Sequence, residues 1–349
     1  EAILKLTRNW VQEQGVKHFH DEEGICHVVL PENGYLRPGM FAVGGDSHSP
    51  TGGAFGCYMF GIGATEMAGV LASGKIWIRV PETIRIEWNG VFPQGVMAKD
   101  MMLFLCGKMG MDGGRYQSLE FSGQAIRKHS MQERMTLCNM TAELGAQAGL
   151  VEPDEVTAEW LSSRGADPGD WQRWSGDPDA KPEEKHVFDA YSLVPQVAAP
   201  HSPSNAAPVP EFDSVIPDVL YLGACTGAKL EDLRAAARIL KGKTLRRNAE
   251  FWVAPASLKD RQEAQLEGVM ATLEDAGAKV LPSSCGLCAG YGPQRLDPAT
   301  VCLSSTARNF KGRMGDPTSQ VYLGSPMTLA ASAAAGRIAD PREFLPDLS

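Results

Sequence analysis

Short apolar stretches alternate with longer amphipathic ones along most of the chain. The run MFAV (40–43) leads into GGDSHSPTGG, and the small-residue segment GIGATEMAGVLASG after it predicts a helix. TIRIEW (83–88) alternates with period two, the spacing of a half-buried strand, and MAKDMMLFLCGKMG follows with helical spacing. The unit recurs. DVLYLG (218–223) passes through ACTG into KLEDLRAAARILKGK, and EFWVA passes through PAS into LKDRQEAQLEGVMATLEDAG. AKVL (278–281) ends at SSCGLCAGYG, and TVCLSS ends at TARNFKGR. Ile3, Leu6 and Trp10 predict an opening helix, and the apolar run ICHVVL predicts a strand holding His27.

Strands that alternate with amphipathic helices predict an α/β protein with parallel, doubly wound sheets. Ligands collect at the carboxyl ends of such strands, where most of the chemically interesting residues here lie. A chain of 349 residues is long for one core, so two or three α/β domains sharing a cleft are expected. Residues 164–210, rich in Pro, Asp, Ser and Gly, predict a long linker or surface excursion.

Composition narrows the partners. A net charge of −9 argues against nucleic acid and anionic membranes, either of which selects a basic surface. No run approaches the roughly 18 apolar residues of a membrane-spanning helix. An anionic small substrate stays open if specific arginines hold it. Eight cysteines are too few for a disulfide scaffold, and Cys26, Cys106, Cys138 and Cys302 fall in apolar patterns that predict buried thiols. Reduced thiols fit a cytoplasmic protein. The chain opens on Glu1 inside a helical pattern, so a leading segment is expected upstream and organellar targeting stays open.

Cys285 and Cys288 form a CxxC in a glycine-bearing loop, and Cys225 lies 60 residues earlier in another post-strand loop. Spacing alone leaves zinc, a redox pair, inert thiols or an iron–sulfur cluster open. Structural zinc wants four ligands, usually in two short pairs, and no second pair is present. Three cysteines on loop tips suit a [4Fe–4S] cluster with one iron free of protein, which is then a Lewis acid.

The neighbouring motifs tip that balance. VGGDSHSPTGGAFG, CTGAKLEDL, CGLC and STARNFKGR, in that order, resemble the aconitase and isopropylmalate-isomerase family. GICHVVLPENGYLRPG (24–39), CNMTAELGA (138–146) and YLGSPMTLAASAAAGRIADP (322–341) extend the resemblance over nearly the whole chain. The resemblance implies three doubly wound α/β domains around a cluster-binding cleft, divided here as 1–81, 82–190 and 191–349. It implies Cys225, Cys285 and Cys288 as cluster ligands and Asn139 beside the cluster. It implies Asp46, His48, His27 and Glu143 as catalytic groups, and Ser47, Arg308 and Arg313 as substrate contacts. An arginine's planar fork fits a carboxylate, and an Asp46–His48 pair would suit proton transfer to a leaving hydroxyl. Without the resemblance, Asp46 and Ser47 read as a helix cap, His27 as a core histidine, and each Arg as solvated.

Departures from the family pattern touch the same places. Gly227 stands where the family has Asn, Ala307 replaces the Asn before the first arginine, and Leu287 replaces a proline. No Asp-His dipeptide matches the family's early motif, consistent with residues missing upstream. The implied activity is dehydration and rehydration of a small 2-hydroxy di- or tricarboxylate. 3-Isopropylmalate is the first expectation, with homoaconitate or an alkylmalate next. Rival readings are a non-catalytic iron-responsive binding protein and a zinc-stabilised α/β protein. The chain ends in ADPREFLPDLS, without the swivelling domain that brings the C–H base in single-chain relatives. A small-subunit partner is therefore expected to supply it.

Overall fold

The computed structural model describes residues 2–177, 179–246, 249–290 and 293–346. Tyr291 and Gly292 of the AGYG segment, Pro178 in the Pro-rich stretch and the tail's last three residues (347–349) lie outside the described residues.

Among the described residues, thirteen strands form three sheets. β1 (Phe41–Gly44) and β2 (Tyr58–Gly61) pair in parallel as a two-stranded sheet. β3 (Thr83–Asn89), β4 (Ser118–Ser122), β5 (Ala148–Val151) and β6 (Glu184–Asp189) form a parallel sheet in the order β5-β4-β3-β6. The largest sheet contains β7 (Gln196–Ala198), β8 (Ala206–Pro208), β9 (Val219–Leu222), β10 (Glu250–Val253), β11 (Ala278–Val280), β12 (Val301–Ser304) and β13 (Gln320–Gly324). Its order is β11-β10-β9-β12-β13-β7-β8, with β7 and β8 antiparallel at the edge.

The strand order reverses between β9 and β12. Loops that leave two such strands diverge, and the crevice between them is where open α/β sheets bind ligands. Cys225 follows β9, and Arg308 follows β12. All four residues of β9, VLYL, are buried, as expected for a central parallel strand covered on both faces. β3 shows the other pattern: Ile84, Ile86 and Trp88 point inward, and the residues between them are more exposed. The helix Leu230–Leu240 buries Leu233, Ala236, Ala237 and Leu240, one stripe of its surface. It packs on the alanine-rich helix Pro326–Ala335.

Four expectations change. ICHVVL is not a strand: Cys26–Glu32 is a helix, and His27 lies in its first turn. A short apolar run looks the same in a buried helix as in a strand. The supposed linker contributes β6, β7 and β8 to two sheets. β7 and β8 span three residues each, too few to display a period. Cys26 is exposed, whereas Cys106, Cys138 and Cys302 are buried. Among the described residues the first 81 supply only the β1–β2 pair, too few strands for a reversal of order, which the four- and seven-stranded sheets both show. Their helices Ala2–Gln14 and Ala64–Ser73 bury no residue.

Arg134 ties the helix Met131–Asn139 to the start of the helix Glu155–Ser162. Its side chain is 0% exposed, and Nη1 and Nη2 donate to Asp154 Oδ1 and Oδ2 at 2.7 and 2.6 Å. Asp154 also caps the helix Glu155–Ser162. Arg134→Ala is expected to lower stability by about 3–5 kcal/mol, since it leaves a partly buried carboxylate unpaired. The urea midpoint measures this.

Candidate active site

The segment after β1 turns tightly so that Asp46, Ser47 and His48 precede a 3-10 helix, Ser49–Phe55. That helix lies against β5 with no room for a side chain at Gly53, where a Cβ would stand 1.6 Å from Gly149 O. Asp46 Oδ1 accepts the backbone N–H of His48 at 2.8 Å, closing the turn before the helix, whose N-cap residue is His48 and which has no side-chain cap, so the cap expected of Asp46 and Ser47 is not formed. The same oxygen meets His27 Nε2 at 2.7 Å. The close Asp–His pair is therefore Asp46–His27, and the expected Asp46–His48 pair is corrected: Nδ1 of His48 stands 3.8 Å from Asp46. A two-residue spacing along the chain suggested the wrong partner, because His48 turns inward to Glu143.

His48 Nε2 lies 2.8 Å from Glu143 Oε1, and both residues are buried. Arg308 Nε donates to both Glu143 oxygens at 2.9 Å, and Arg308 Nη1 donates to Ser47 Oγ at 2.8 Å. One polar chain thus runs His27–Asp46–His48–Glu143–Arg308–Ser47. Arg308 was expected to hold substrate; two of its nitrogens are already committed within the protein.

Charge is distributed unevenly along this chain. Burial disfavours charging His27, but the hydrogen bond to Asp46 and the neighbouring Cys26 outweigh it and raise its pKa to about 9. The bond from His27 holds Asp46 far below the usual carboxylate range, against partial burial. Burial pushes His48 down, although Glu143 opposes it. Burial would raise Glu143, yet His48 and Arg308 keep it below its ordinary value. At neutral pH the site holds an imidazolium at His27, a neutral imidazole at His48 and carboxylates at Asp46 and Glu143.

The His27–Asp46 pair links stability to pH. The raised pKa of His27 gives a contribution fully present below its unfolded value of about 6.5, lost as pH rises through about 9. The depressed Asp46 gives one present above the ordinary carboxylate range, lost as pH falls through it. The difference in urea midpoint between the natural chain and His27→Gln should be largest above the carboxylate range and below about pH 6.5, shrink as pH rises from there, and be largely gone above about pH 9. A difference that persists unchanged above pH 9 would mean His27 stabilises by packing.

The cysteines approach from the third sheet. The loop after β9 turns through Ala224 at φ 70°, a left-handed conformation unusual for alanine, and presents Cys225. Asn139 Nδ2 donates to Cys225 Sγ at 3.2 Å and to Thr51 Oγ1 at 2.8 Å, joining the cysteine to the His48 segment. Its Oδ1 is buried without a partner. Burial raises Cys225 well above an ordinary thiol, and Cys285 and Cys288 add to this, so the three thiols feel one another's charge. Burial pushes Cys285 to about 12, with Cys288, Cys26 and Asp46 adding to it and Arg313 opposing. Burial raises Cys288 too, against Arg313 and Lys99. The Nε of Arg313 is buried without a partner.

The donor set can be tested against the group it would hold. Three thiolates on one tetrahedral zinc, with Zn–S of about 2.3 Å, sit about 3.8 Å apart. Among the described residues, His27, Asp46 and His48 are the set whose ligand atoms all lie within 4.8 Å of one another, and the three thiols are not such a set. A cluster spreads its cysteines over separate irons, farther apart than the ligands of one ion. Three thiols that feel one another's charge, and that are not drawn together as the ligands of one ion, are a donor set that a cluster could use.

Sequence reasoning missed two lysines behind these loops. Lys99, fully buried, reaches Thr226, Ser305 O and Thr306 O. Burial draws its pKa down to about 8, opposed by Cys288 and Cys225. Lys229 Nζ donates to Asp232 at 2.7 Å, Thr136 Oγ1 at 2.9 Å and Cys225 O at 3.1 Å. A signal was present: Lys99 and Asp100 together sit between Ala98 and the run MMLFL, at the start of a helix whose other residues are largely apolar.

Residues 1–220 and 214–336 match the sequence profile of the Aconitase family (aconitate hydratase). The chain is 45% identical over 342 residues to 3-isopropylmalate dehydratase large subunit 1 of Methanopyrus kandleri, covering 98% of this chain and 81% of that protein. It is 45% identical over 344 residues to a probable methanogen homoaconitase large subunit of Methanosarcina mazei, covering 98% and 87%. With 3-isopropylmalate dehydratase large subunit 2 of Archaeoglobus fulgidus it shares 43% over 341 residues, covering 98% and 82%. No helix among the described residues is long and apolar enough to cross a membrane.

Proposed function

The chain belongs to the aconitase family, and from that premise we propose that it is the large subunit of an iron–sulfur hydro-lyase. Its substrate in this reading is a small 2-hydroxy di- or tricarboxylate, with 3-isopropylmalate first and homoaconitate second. The observation that carries the reading is the polar chain from His27 to Ser47, set beside three thiols of which Cys225 follows β9 at the switch point of the largest sheet. A [4Fe–4S] cluster on Cys225, Cys285 and Cys288 would supply an open iron, a Lewis acid toward a hydroxyl and a carboxylate.

The chain's own residues then have separable tasks. His27, its charged form favoured by the bond between Nε2 and Asp46 Oδ1, would serve as the acid toward a leaving hydroxyl. This moves the acid role expected of His48 to His27. His48 and Glu143 brace the segment from behind, and Arg308 keeps Glu143 ionised while orienting Ser47 Oγ. Arg313, with an unpartnered Nε, offers its fork to a substrate carboxylate. Asn139 orients Cys225. The base that removes the C–H proton is assigned to a small-subunit partner.

Anaerobic reconstitution with iron and sulfide, followed by a panel of hydroxy acids with and without the small subunit of a relative, tests the whole reading. A brown chain, active only once the subunit is added, is the expected result. A colourless chain that retains one zinc would overturn it, and full turnover by the chain alone would place the base within these residues.

A further inference from the structure

Lys99 has an unusual environment for a charged side chain. It lies in the first turn of the helix Ala98–Met109, which connects β3 and β4 of the four-stranded sheet, yet its ammonium ends between two loops of the seven-stranded sheet. It is 1% exposed. Nζ lies 3.2 Å from Thr226 Oγ1 and 2.8 Å from Ser305 O, and it also bonds to Thr306 O. Thr226 follows Cys225 directly, and Ser305 and Thr306 lead into Arg308. One ammonium therefore clamps the loop after β9 to the loop after β12, the two that diverge at the switch point. The loops are themselves tightly fitted, since a Cβ on Gly227 would stand 2.4 Å from Ser305 Oγ.

All these acceptors are neutral. Lys229, the other buried lysine nearby, has Asp232 as an ion-pair partner at 2.7 Å. Among the described residues Lys99 has no ion-pair partner, and its neighbour Asp100 turns away to accept the backbone N–H groups of Met97 and Gln196. A buried charge without a counter-charge is expensive, by several kcal/mol or more. The acidic groups that favour its charge are, in order, the thiols of Cys288 and Cys225 and then Asp232, which Lys229 already pairs. Three thiolates around a cluster form a net anion, and a fixed cation behind them is compensated only when that anion is present.

We propose that Lys99 is a positioning residue whose buried ammonium locks the Cys225 loop to the Arg308 loop and acts as the fixed counter-charge of the cysteine-held cluster. The proposal rests on the cluster reading above. It adds a residue from outside the motif loops that governs the electron affinity of the site and not only its shape.

The test compares reduction potentials of the anaerobically reconstituted chain. Lys99→Met removes the charge and keeps most of the bulk; Thr226→Val removes one acceptor and keeps the charge. Lys99→Met is expected to lower the potential by about 59 mV or more, a tenfold change in a one-electron equilibrium, while Thr226→Val stays close to the natural chain. Equal shifts in both variants, or an unmoved potential in Lys99→Met, would overturn the counter-charge. If Lys99→Met fails to fold, Lys99→Gln replaces it; misfolding of both assigns Lys99 to packing and overturns the proposal. A natural chain that takes up neither iron nor sulfide fails earlier, and sinks the cluster reading together with this one.

Discussion

Serine in place of Cys225 is expected to abolish iron retention and turnover together. Cys225 is buried at the end of the central strand β9, its sulfur accepts from Asn139, and its loop is held by Lys99 and Lys229. A serine there is close in size and keeps the bond from Asn139, so the fold should persist. What it loses is the soft thiolate that iron–sulfur chemistry selects. Iron and acid-labile sulfide, measured after anaerobic reconstitution, should fall to background with the melting temperature of the cluster-free chain unchanged. Full retention of the cluster in this variant would remove Cys225 from the ligand set.

Glu143→Gln is expected to lower kcat/KM by about 10²–10³-fold, on the scale of losing a preorganised electrostatic contact. Glu143 is 1% exposed and serves two partners at once. Glutamine can accept one bond from Arg308 Nε, but its amide presents N–H groups where His48 or Arg308 now meets a carboxylate oxygen. Arg308 is then left without a counter-ion in a partly buried site, and Ser47 loses its fixed orientation. Removing one member of a buried pair typically costs about 3–5 kcal/mol, so a drop in the urea midpoint should accompany the loss of rate. Normal kinetics in Glu143→Gln would reduce the polar chain to a structural brace.

Much of this molecule was legible from its residues. Period-two alternation in TIRIEW and the apolar run VLYL each mark a strand, because a strand's inward positions repeat every second residue or, when both faces are covered, continuously. The post-strand positions of Cys225, Cys285 and Arg308 followed from the same periodicity, and the ordered motifs around them pointed to the family. Short elements were less legible. The helix carrying His27 spans seven residues and reads as a strand, and β7 and β8 were hidden in a Pro- and Ser-rich stretch.

Partnership was decided by the tertiary structure alone. Asp46 and His48 are two residues apart, yet His48 turns to Glu143, 95 residues away, and Asp46 takes His27 instead. Arg308 reaches Glu143 across 165 residues, and Lys99 reaches Ser305 across 206. Local sequence specifies which groups a segment carries and which face they occupy, because backbone periodicity is a short-range property. Which two groups meet depends on how sheets and loops pack, and the resulting burial and hydrogen bonds also determine their charge. That is why His27, an ordinary histidine in sequence, pairs with Asp46 and has its charged form favoured, and why a lysine outside every recognised motif stands behind Cys225.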